Sequence, residues 1–133
     1  MIYNVNFHHI GVPTDKSNLS KKARYSPLFK MYSEDAINDL GIHIEYHAFE
    51  SGSPLDRRIT REKHIAFKVD NIEDKLQGRE ILMPLYEPFK GYKCAMILVN
   101  DVLIELIETS LSEKEIWEDE EILKNGILYN NSL

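Results

Sequence analysis

The sequence repeats one pattern in its two halves. Each half opens with an apolar segment that carries a histidine and closes with an apolar segment that carries a glutamate. The pairs are His9 with Glu45 in the first half and His64 with Glu105 in the second. Internal similarity of this kind is typical of a duplicated module, and two short modules bury their apolar faces by packing into one core. We therefore predict one domain built from two related halves.

Three strands are predicted in the first half because β-branched and aromatic side chains alternate with polar ones. They cover residues 5–12, 28–32 and 42–49. Residues 33–40 begin with a serine and are followed by Gly41, which predicts a helical turn. The polar segment of residues 13–27 has proline at both ends and no apolar period of 3.6 residues, so we predict a loop there.

The second half has clearer local signals and a β-α-β-β-β pattern. An N-cap sequence at residues 70–71 and a stop at Gly78 predict a short helix at residues 72–77. Residues 100–101, Asn-Asp, predict a tight hairpin between the last two strands. The strands cover residues 64–69, 80–86, 93–99 and 102–107.

These elements set the predicted domain limits. We predict a single domain (1–133) that contains a first module (5–52), a second module (63–108) and a C-terminal helical tail (109–133). Residues 56–63 form a charged connector between the modules. Within the tail, residues 112–124 predict one helix that docks through a single apolar stripe.

The composition of the chain limits the classes of molecule that the protein is expected to bind. The 133 residues include 22 acidic and 16 basic ones, and the net charge of -6 opposes binding to a phosphate backbone. No apolar run approaches the roughly 20 residues that a membrane span needs. We therefore expect a cytoplasmic protein that binds a small-molecule substrate, with no nucleic acid or membrane partner. The single cysteine, Cys94, has no partner for an intrachain disulfide and is expected in the core.

Four residues in predicted strands carry side chains that bind divalent metals. His9 and His64 offer imidazole nitrogens, and Glu45 and Glu105 offer carboxylate oxygens. Zinc, nickel, iron and manganese sites use such donors. Each residue taken alone also fits a buried polar side chain that a neighbour satisfies.

Strand alternation separates two pairs of neighbouring candidates. Glu105 and Glu108 lie on opposite faces of their strand, so only one of them can point at a given metal. We expect Glu105 to be that residue. His8 and His9 likewise alternate, so one of the two is expected to point away from the site, toward solvent or a sheet edge.

Three segments resemble strands of the vicinal oxygen chelate superfamily, which includes glyoxalase I, methylmalonyl-CoA epimerase, extradiol dioxygenases and bleomycin-resistance proteins. The segments are residues 7–12 (FHHIGV), 64–73 (HIAFKVDNIE) and 104–108 (IELIE). The resemblance implies an α+β fold in which paired βαβββ modules form a cupped mixed sheet around a divalent metal. The first module of such proteins usually carries a helix, and residues 13–27 predict that this helix is degenerate or missing here.

Position by position, the resemblance assigns the metal ligands to His9, Glu45, His64 and Glu105. His8 is therefore the histidine expected to point away from the site, toward solvent or a sheet edge. It implies a lyase or isomerase of the glyoxalase and epimerase kind, in which Zn, Ni, Co, Mn or Fe chelates an enediolate or enolate formed by proton abstraction. Either Glu45 or His47 is the expected base. The resemblance also implies a homodimer, because members of the superfamily complete the walls of their cups by pairing.

Two other functions remain open from the sequence. Drug-sequestering relatives bind a ligand in the cup without metal, although such cups tend to be aromatic and to lack the complete ligand set. An Fe(II) oxygenase needs two histidines and one carboxylate, which His9, His64 and Glu105 provide. Oxygenase relatives usually have longer chains, so we place this function third.

Overall fold

The structure, a computed structural model that describes residues 4–129, contains eight strands and four short α-helices. The strands are β1 (Val5–Pro13), β2 (Arg24–Ser26), β3 (Met31–Ile37), β4 (His43–Phe49), β5 (His64–Val69), β6 (Glu80–Phe89), β7 (Tyr92–Val99) and β8 (Val102–Thr109). The helices are α1 (Arg57–Arg61), α2 (Ile72–Leu76), α3 (Glu113–Glu118) and α4 (Glu120–Lys124). Within the described residues, no helix is both long and apolar enough to cross a membrane.

All eight strands belong to one curled mixed sheet, in the order β2-β3-β4-β1-β5-β8-β7-β6. In each half the first strand pairs in parallel with the last, β1 with β4 and β5 with β8. The two halves meet at the centre of the sheet, where β1 and β5 run antiparallel. This arrangement confirms the predicted α+β fold, in which two related modules share one cupped sheet.

The predicted absence of a long helix in the first module is also confirmed. Between β1 and β2 the only helical element is a single 3-10 turn at Lys16–Asn18, which buries no side chain. Proline at both ends of residues 13–27 and the lack of an apolar stripe leave a helix there without a face to pack. The equivalent connection of the second module holds α2, whose Ile72 is 1% exposed.

The predicted helical turn at residues 33–40 is wrong. Most of this segment belongs to β3, which pairs with β4 from Met31 opposite Phe49 to Ile37 opposite His43. The turn comes later, where the Asn38 side chain accepts hydrogen bonds from two backbone N–H groups. Pairing with a neighbouring strand therefore outweighs the local helix signals.

Two further boundaries differ from the prediction. The strand expected at residues 28–32 starts only at Met31, and a short strand, β2, lies in the predicted loop. The charged connector at 56–63 contains α1, which Asp56 caps by accepting a hydrogen bond from the backbone N–H of Arg58 at 2.8 Å. Both elements are too short for a periodic signal.

Local signals in the second module predict its structure well. Asn71 caps α2 by accepting from the backbone N–H of Asp74 at 3.1 Å. Gly78 has a φ of 70°, as a helix stop requires. Asn100 and Asp101 both have positive φ values, 51° and 66°, which match the two-residue turn between β7 and β8.

The tail differs from the single predicted helix. Asp119 ends α3 and caps the start of α4, so the helix is broken in two. A capping box between Ser112 and Glu115 begins α3. Residues 1–3 and 130–133 of the predicted domain lie outside the described residues, and the module limits 5–52, 63–108 and 109–133 stay predictions.

Both faces of the sheet carry buried side chains. One face lines the cup and is covered by the tail, and Cys94 lies in its core at 2% exposure. Burial raises the pKa of the Cys94 thiol well above its ordinary value, which keeps it protonated. The other face packs against α2, where Glu108 accepts a hydrogen bond from the backbone N–H of Ile72 at 2.9 Å.

Candidate metal centre

Three buried residues converge inside the cup. His9 on β1, His64 on β5 and Glu105 on β8 each present one ligand atom within 4.8 Å of the others. Nε2 of His9 lies 3.2 Å from Oε1 of Glu105, and Nε2 of His64 lies 3.3 Å from the same oxygen. We call these three residues the triad.

The triad exists because its three strands are neighbours in the sheet. Ala66 of β5 pairs with His9 on one side and with Glu105 on the other. Side chains at matched positions on adjacent strands share a face. The pairing therefore directs one imidazole from each module, and one carboxylate, to the same side of the sheet.

Gly11 makes room for one member of the triad. It pairs with His64 across the β1–β5 boundary. A Cβ atom at position 11 would lie 1.9 Å from Cε1 of His64, far inside van der Waals contact. Any other residue at position 11 would force the imidazole of His64 out of its place.

The triad fits a divalent metal. Within residues 4–129, Nε2 of His9 and Nε2 of His64 have no hydrogen-bond partner, because neither is aligned with the nearby carboxylate oxygen. A buried polar atom without a partner is costly. Two imidazole nitrogens and one carboxylate oxygen are a donor set that zinc and iron sites use, with positions left for substrate or water. A cation bound between these atoms would satisfy all three.

Glu45, the fourth predicted ligand, is paired with His47. Oε1 of Glu45 lies 3.0 Å from Nε2 of His47, and Nδ1 of His47 lies 2.8 Å from Oγ of Ser33. Both Glu45 and His47 line the same cavity as His64 and Glu105 of the triad. Glu45 is not among the three residues that converge, and its role as a ligand stays a prediction.

Charge interactions within the cup shift the acidity of its carboxyl groups. Burial alone would raise the pKa of Glu105, but the His64 and His9 imidazoles hold it well below the ordinary value. Burial likewise opposes ionisation of Glu45, yet His47 lowers its pKa to about 2. Asp35 pairs with Glu45 across β3 and β4, and burial together with the Glu45 charge raises the pKa of Asp35 to about 8. Two neighbouring carboxyl groups thus differ strongly in acidity.

The prediction that His8 points toward solvent or a sheet edge is wrong. His8 is 8% exposed, and its Nδ1 lies 2.8 Å from Nδ1 of His9. The pairing of β1 with β5 shifts by one residue between Phe7 and His9, so His8 is the extra residue of a bulge. A bulge breaks the alternation of faces, which places two consecutive histidines on the same side.

The tail covers the triad with a tryptophan. The indole of Trp117 stacks on the imidazoles of His8 and His43, with centroid distances of 5.3 and 4.3 Å. It also meets the ring of His9 edge to face at 5.6 Å. An ion pair of 2.6 Å between Arg24 of β2 and Glu120 of α4 holds the tail on the sheet.

The cavity that remains under the tail is small and partly aromatic. Its volume is about 80 Å³, room for a few water molecules. Its lining includes the carboxyl groups of Asp35, Glu45 and Glu105 and the imidazoles of His47 and His64. Several aromatic side chains also line it, among them Phe29, Phe49, Tyr86, Trp117 and Tyr129.

Comparison with known proteins identifies the fold. No protein-family model matches the chain, and no curated protein matches it either. Among solved structures, it is similar to hypothetical protein BH1468 from Bacillus halodurans C-125, with a TM-score of 0.60 and 19% identity, over 81% of this chain and 96% of that one. It is also similar to methylmalonyl-CoA epimerase from Mycobacterium tuberculosis, with a TM-score of 0.57 and 14% identity, over 80% and 89% of the two chains. At these identities the likeness shows a shared fold alone.

Proposed function

We propose that this protein is a divalent-metal-dependent isomerase or lyase of the vicinal oxygen chelate superfamily. Its reaction is removal of a proton from the carbon next to a carbonyl group of a small substrate. The observation that carries the proposal is the pair of buried, unpartnered imidazole nitrogens of His9 and His64 beside Glu105. A fold shared with methylmalonyl-CoA epimerase supports it.

The residues of the cup divide into two roles. His9, His64 and Glu105 would hold the metal, which would polarise substrate oxygens and stabilise the negative charge that develops on them. Glu45 takes the proton, because it faces the cavity outside the converging triad. His47 orients the Glu45 carboxylate at 3.0 Å and is itself held by Ser33. Glu45 as a fourth metal ligand, with His47 as the base, is the alternative assignment.

The cavity limits the substrate. About 80 Å³ accommodates a group of only a few heavy atoms under the closed tail. A longer substrate would have to pass its remainder between the tail and the sheet. We therefore propose a small carbonyl compound, or the small acyl end of a larger one.

Deuterium exchange tests the reaction without knowledge of the product. Protein loaded with Zn²⁺, Co²⁺ or Mn²⁺ is incubated in D₂O with small 2-oxo acids, 2-hydroxy aldehydes and 2-methyl thioesters. Deuterium on the carbon next to the carbonyl is followed by NMR. We expect exchange with at least one class, and no exchange with any class under any of the metals would contradict the proposal.

Three variants assign the roles in that assay. Glu45→Gln should slow exchange by about 10²–10⁴-fold while the protein still binds metal. Glu105→Gln should lose metal and exchange together. Glu108→Gln is the matched control, because Glu108 lies on the opposite face of the sheet. The amide oxygen of glutamine can still accept the hydrogen bond from the backbone N–H of Ile72 in α2. Equal metal content in the wild type and Glu105→Gln would overturn the ligand assignment.

Two observations favour alternative functions. The aromatic lining of the cavity is typical of a metal-free protein that sequesters small molecules. Two histidines and one carboxylate are also the donors of Fe(II) oxygenases. Oxygen consumption by the Fe(II)-loaded protein would favour an oxygenase, and tight binding of an aromatic ligand by metal-free protein would favour sequestration.

We further propose that the protein acts in the cytoplasm as a homodimer, with a small-molecule substrate and no nucleic acid or membrane partner. The net charge of -6 supports the exclusion of nucleic acid.

A further inference from the structure

The contact between His8 and His9 constrains both imidazoles. Their Nδ1 atoms lie 2.8 Å apart in a buried hydrogen bond. A neutral imidazole carries one proton, on either Nδ1 or Nε2. In a hydrogen bond between two such atoms, one Nδ1 must donate and the other must accept. The protonation site of each ring therefore determines that of the other.

Metal binding by His9 selects one of the two arrangements. A ligating Nε2 needs its lone pair, so the proton of His9 has to sit on Nδ1. That Nδ1–H then donates to Nδ1 of His8, whose own proton must occupy Nε2. This conclusion rests on the proposed metal site and on the geometry of the two rings.

We propose that His8 is a positioning residue that sets His9 in the form able to bind metal. It does so by accepting the Nδ1–H of His9, and the tail in turn fixes His8. Within residues 4–129, the hydrogen bond found for Nδ1 of His9 is the one with His8. His8 itself does not reach the triad.

The tail offers the partner that the other end of His8 requires. Nε2 of His8 has no aligned hydrogen-bond partner within residues 4–129, yet it lies 2.9 Å from Oε1 of Glu113. After a small rotation, that carboxylate would accept a hydrogen bond from the Nε2–H. The Lys68 ammonium, 3.8 Å from the second Glu113 oxygen, steadies the carboxylate. Trp117 stacks on the His8 ring and fixes its plane.

A chain of contacts therefore runs from the tail to the triad, through Glu113, His8 and His9. Such partners of a ligating histidine typically change metal affinity by about 10–100-fold. The competing explanation is that His8 only fills space beneath Trp117. If His8 acts as an acceptor, an aromatic ring without an acceptor atom at position 8 should weaken metal binding. If His8 only fills space, such a ring should leave metal binding unchanged.

The test compares Zn²⁺ affinities by competition with a chromophoric chelator. His8→Phe keeps an aromatic ring under Trp117 but removes the acceptor, and we expect Zn²⁺ to bind about 10–100-fold more weakly. His8→Asn places an amide oxygen where Nδ1 was, and we expect most of the affinity to return. Wild-type affinity in His8→Phe, or no recovery in a folded His8→Asn, would overturn the proposal.

The tail is tested with a matched pair. Glu113→Ala should weaken Zn²⁺ binding by several-fold, whereas Glu118→Ala, an exposed change on the same helix, should leave it unchanged. Equal Zn²⁺ affinities in these two variants would show that the tail does not influence metal binding through His8.

Nitrogen NMR of ¹⁵N-histidine-labelled wild type gives a readout that does not depend on any variant folding. The Zn²⁺-loaded protein should show His9 protonated at Nδ1 and His8 protonated at Nε2, and any other pattern would overturn the proposal. A wild type that binds no Zn²⁺ would refute the metal site and this proposal together. Zn²⁺ binding that is insensitive to His8 would refute only this proposal, and absent deuterium exchange would refute only the reaction.

Discussion

At the scale of single residues, Gly11 is important because it has no side chain. The His64 imidazole occupies the space that a Cβ at position 11 would need. We expect Gly11→Ala to weaken Zn²⁺ binding by more than about tenfold, because the displaced imidazole can no longer meet His9 and Glu105. The measurement is chelator competition on folded protein.

Gly41→Ala serves as the control for that variant. Gly41 has a φ of 77°, so alanine strains its turn, but a Cβ there meets no atom within 4 Å. It should cost stability and leave Zn²⁺ affinity unchanged. If Gly11→Ala also kept its affinity, His64 would not be a ligand in the orientation described.

Sequence reasoning reaches the triad but misses its neighbours, for reasons visible in single residues. The resemblance of three segments to strands of the vicinal oxygen chelate superfamily predicted His9, His64 and Glu105 together, and alternation along β8 separated Glu105 from Glu108. His8 was missed because a bulge in β1 depends on pairing with β5, which no local pattern in β1 reveals. Asp35 was missed because its segment carries local helix signals.

At the scale of elements, the tail is attached by an ion pair that responds to pH. The Arg24 guanidinium lowers the pKa of Glu120 below its ordinary value. A carboxyl group whose pKa is lowered in the folded state adds stability at pH values above its ordinary pKa of about 4.3. This stability is lost as the pH falls through the pKa of the folded state. We expect Glu120→Gln to lower the melting temperature slightly at pH 7 and by less near pH 3.

Thermal unfolding of wild type and variant at both pH values checks this expectation. Glu121→Gln, an exposed change at the next residue of α4, should match the wild type throughout. An equal loss at pH 3 and pH 7 would mean that Glu120 acts through packing and not through its charge.

The elements predicted well are those that local chemistry decides. Asn71 and Gly78 bound α2, and Asn100 with Asp101 forms the β7–β8 turn, all within a few residues of sequence. The helical turn predicted at residues 33–40 failed because β3 is formed by its contacts with β4, which local propensity does not include.

At the scale of the whole molecule, metal binding should stabilise the fold. The triad draws donors from three strands in both halves, so only the folded chain brings them together. At free Zn²⁺ about 100 times its dissociation constant, we expect the free energy of unfolding to rise by about 2.7 kcal/mol. Denaturant unfolding with Zn²⁺ and with chelator measures the difference, which Glu105→Gln should abolish. Identical curves for the wild type would contradict the site.

Association is the second property of the whole chain. Leu28, Ile37 and Leu40 are 42%, 61% and 78% exposed, and all three belong to the half without a long helix. Apolar surface of this kind is commonly covered by a second subunit. We expect light scattering to give twice the chain mass of 15.5 kDa. A monomer mass at working concentration would contradict the dimer.

The antiparallel contact of β1 with β5 has a consequence for the order of folding. His9 stands on one side of this boundary, and His64 and Glu105 stand on the other. Each half can form its own strand pairs first, but the triad is complete only after the halves dock. Interactions made after the rate-limiting barrier act on the unfolding rate and not on the folding rate. Bound metal should therefore make the native protein slower to unfold while refolding proceeds at the speed of the metal-free chain.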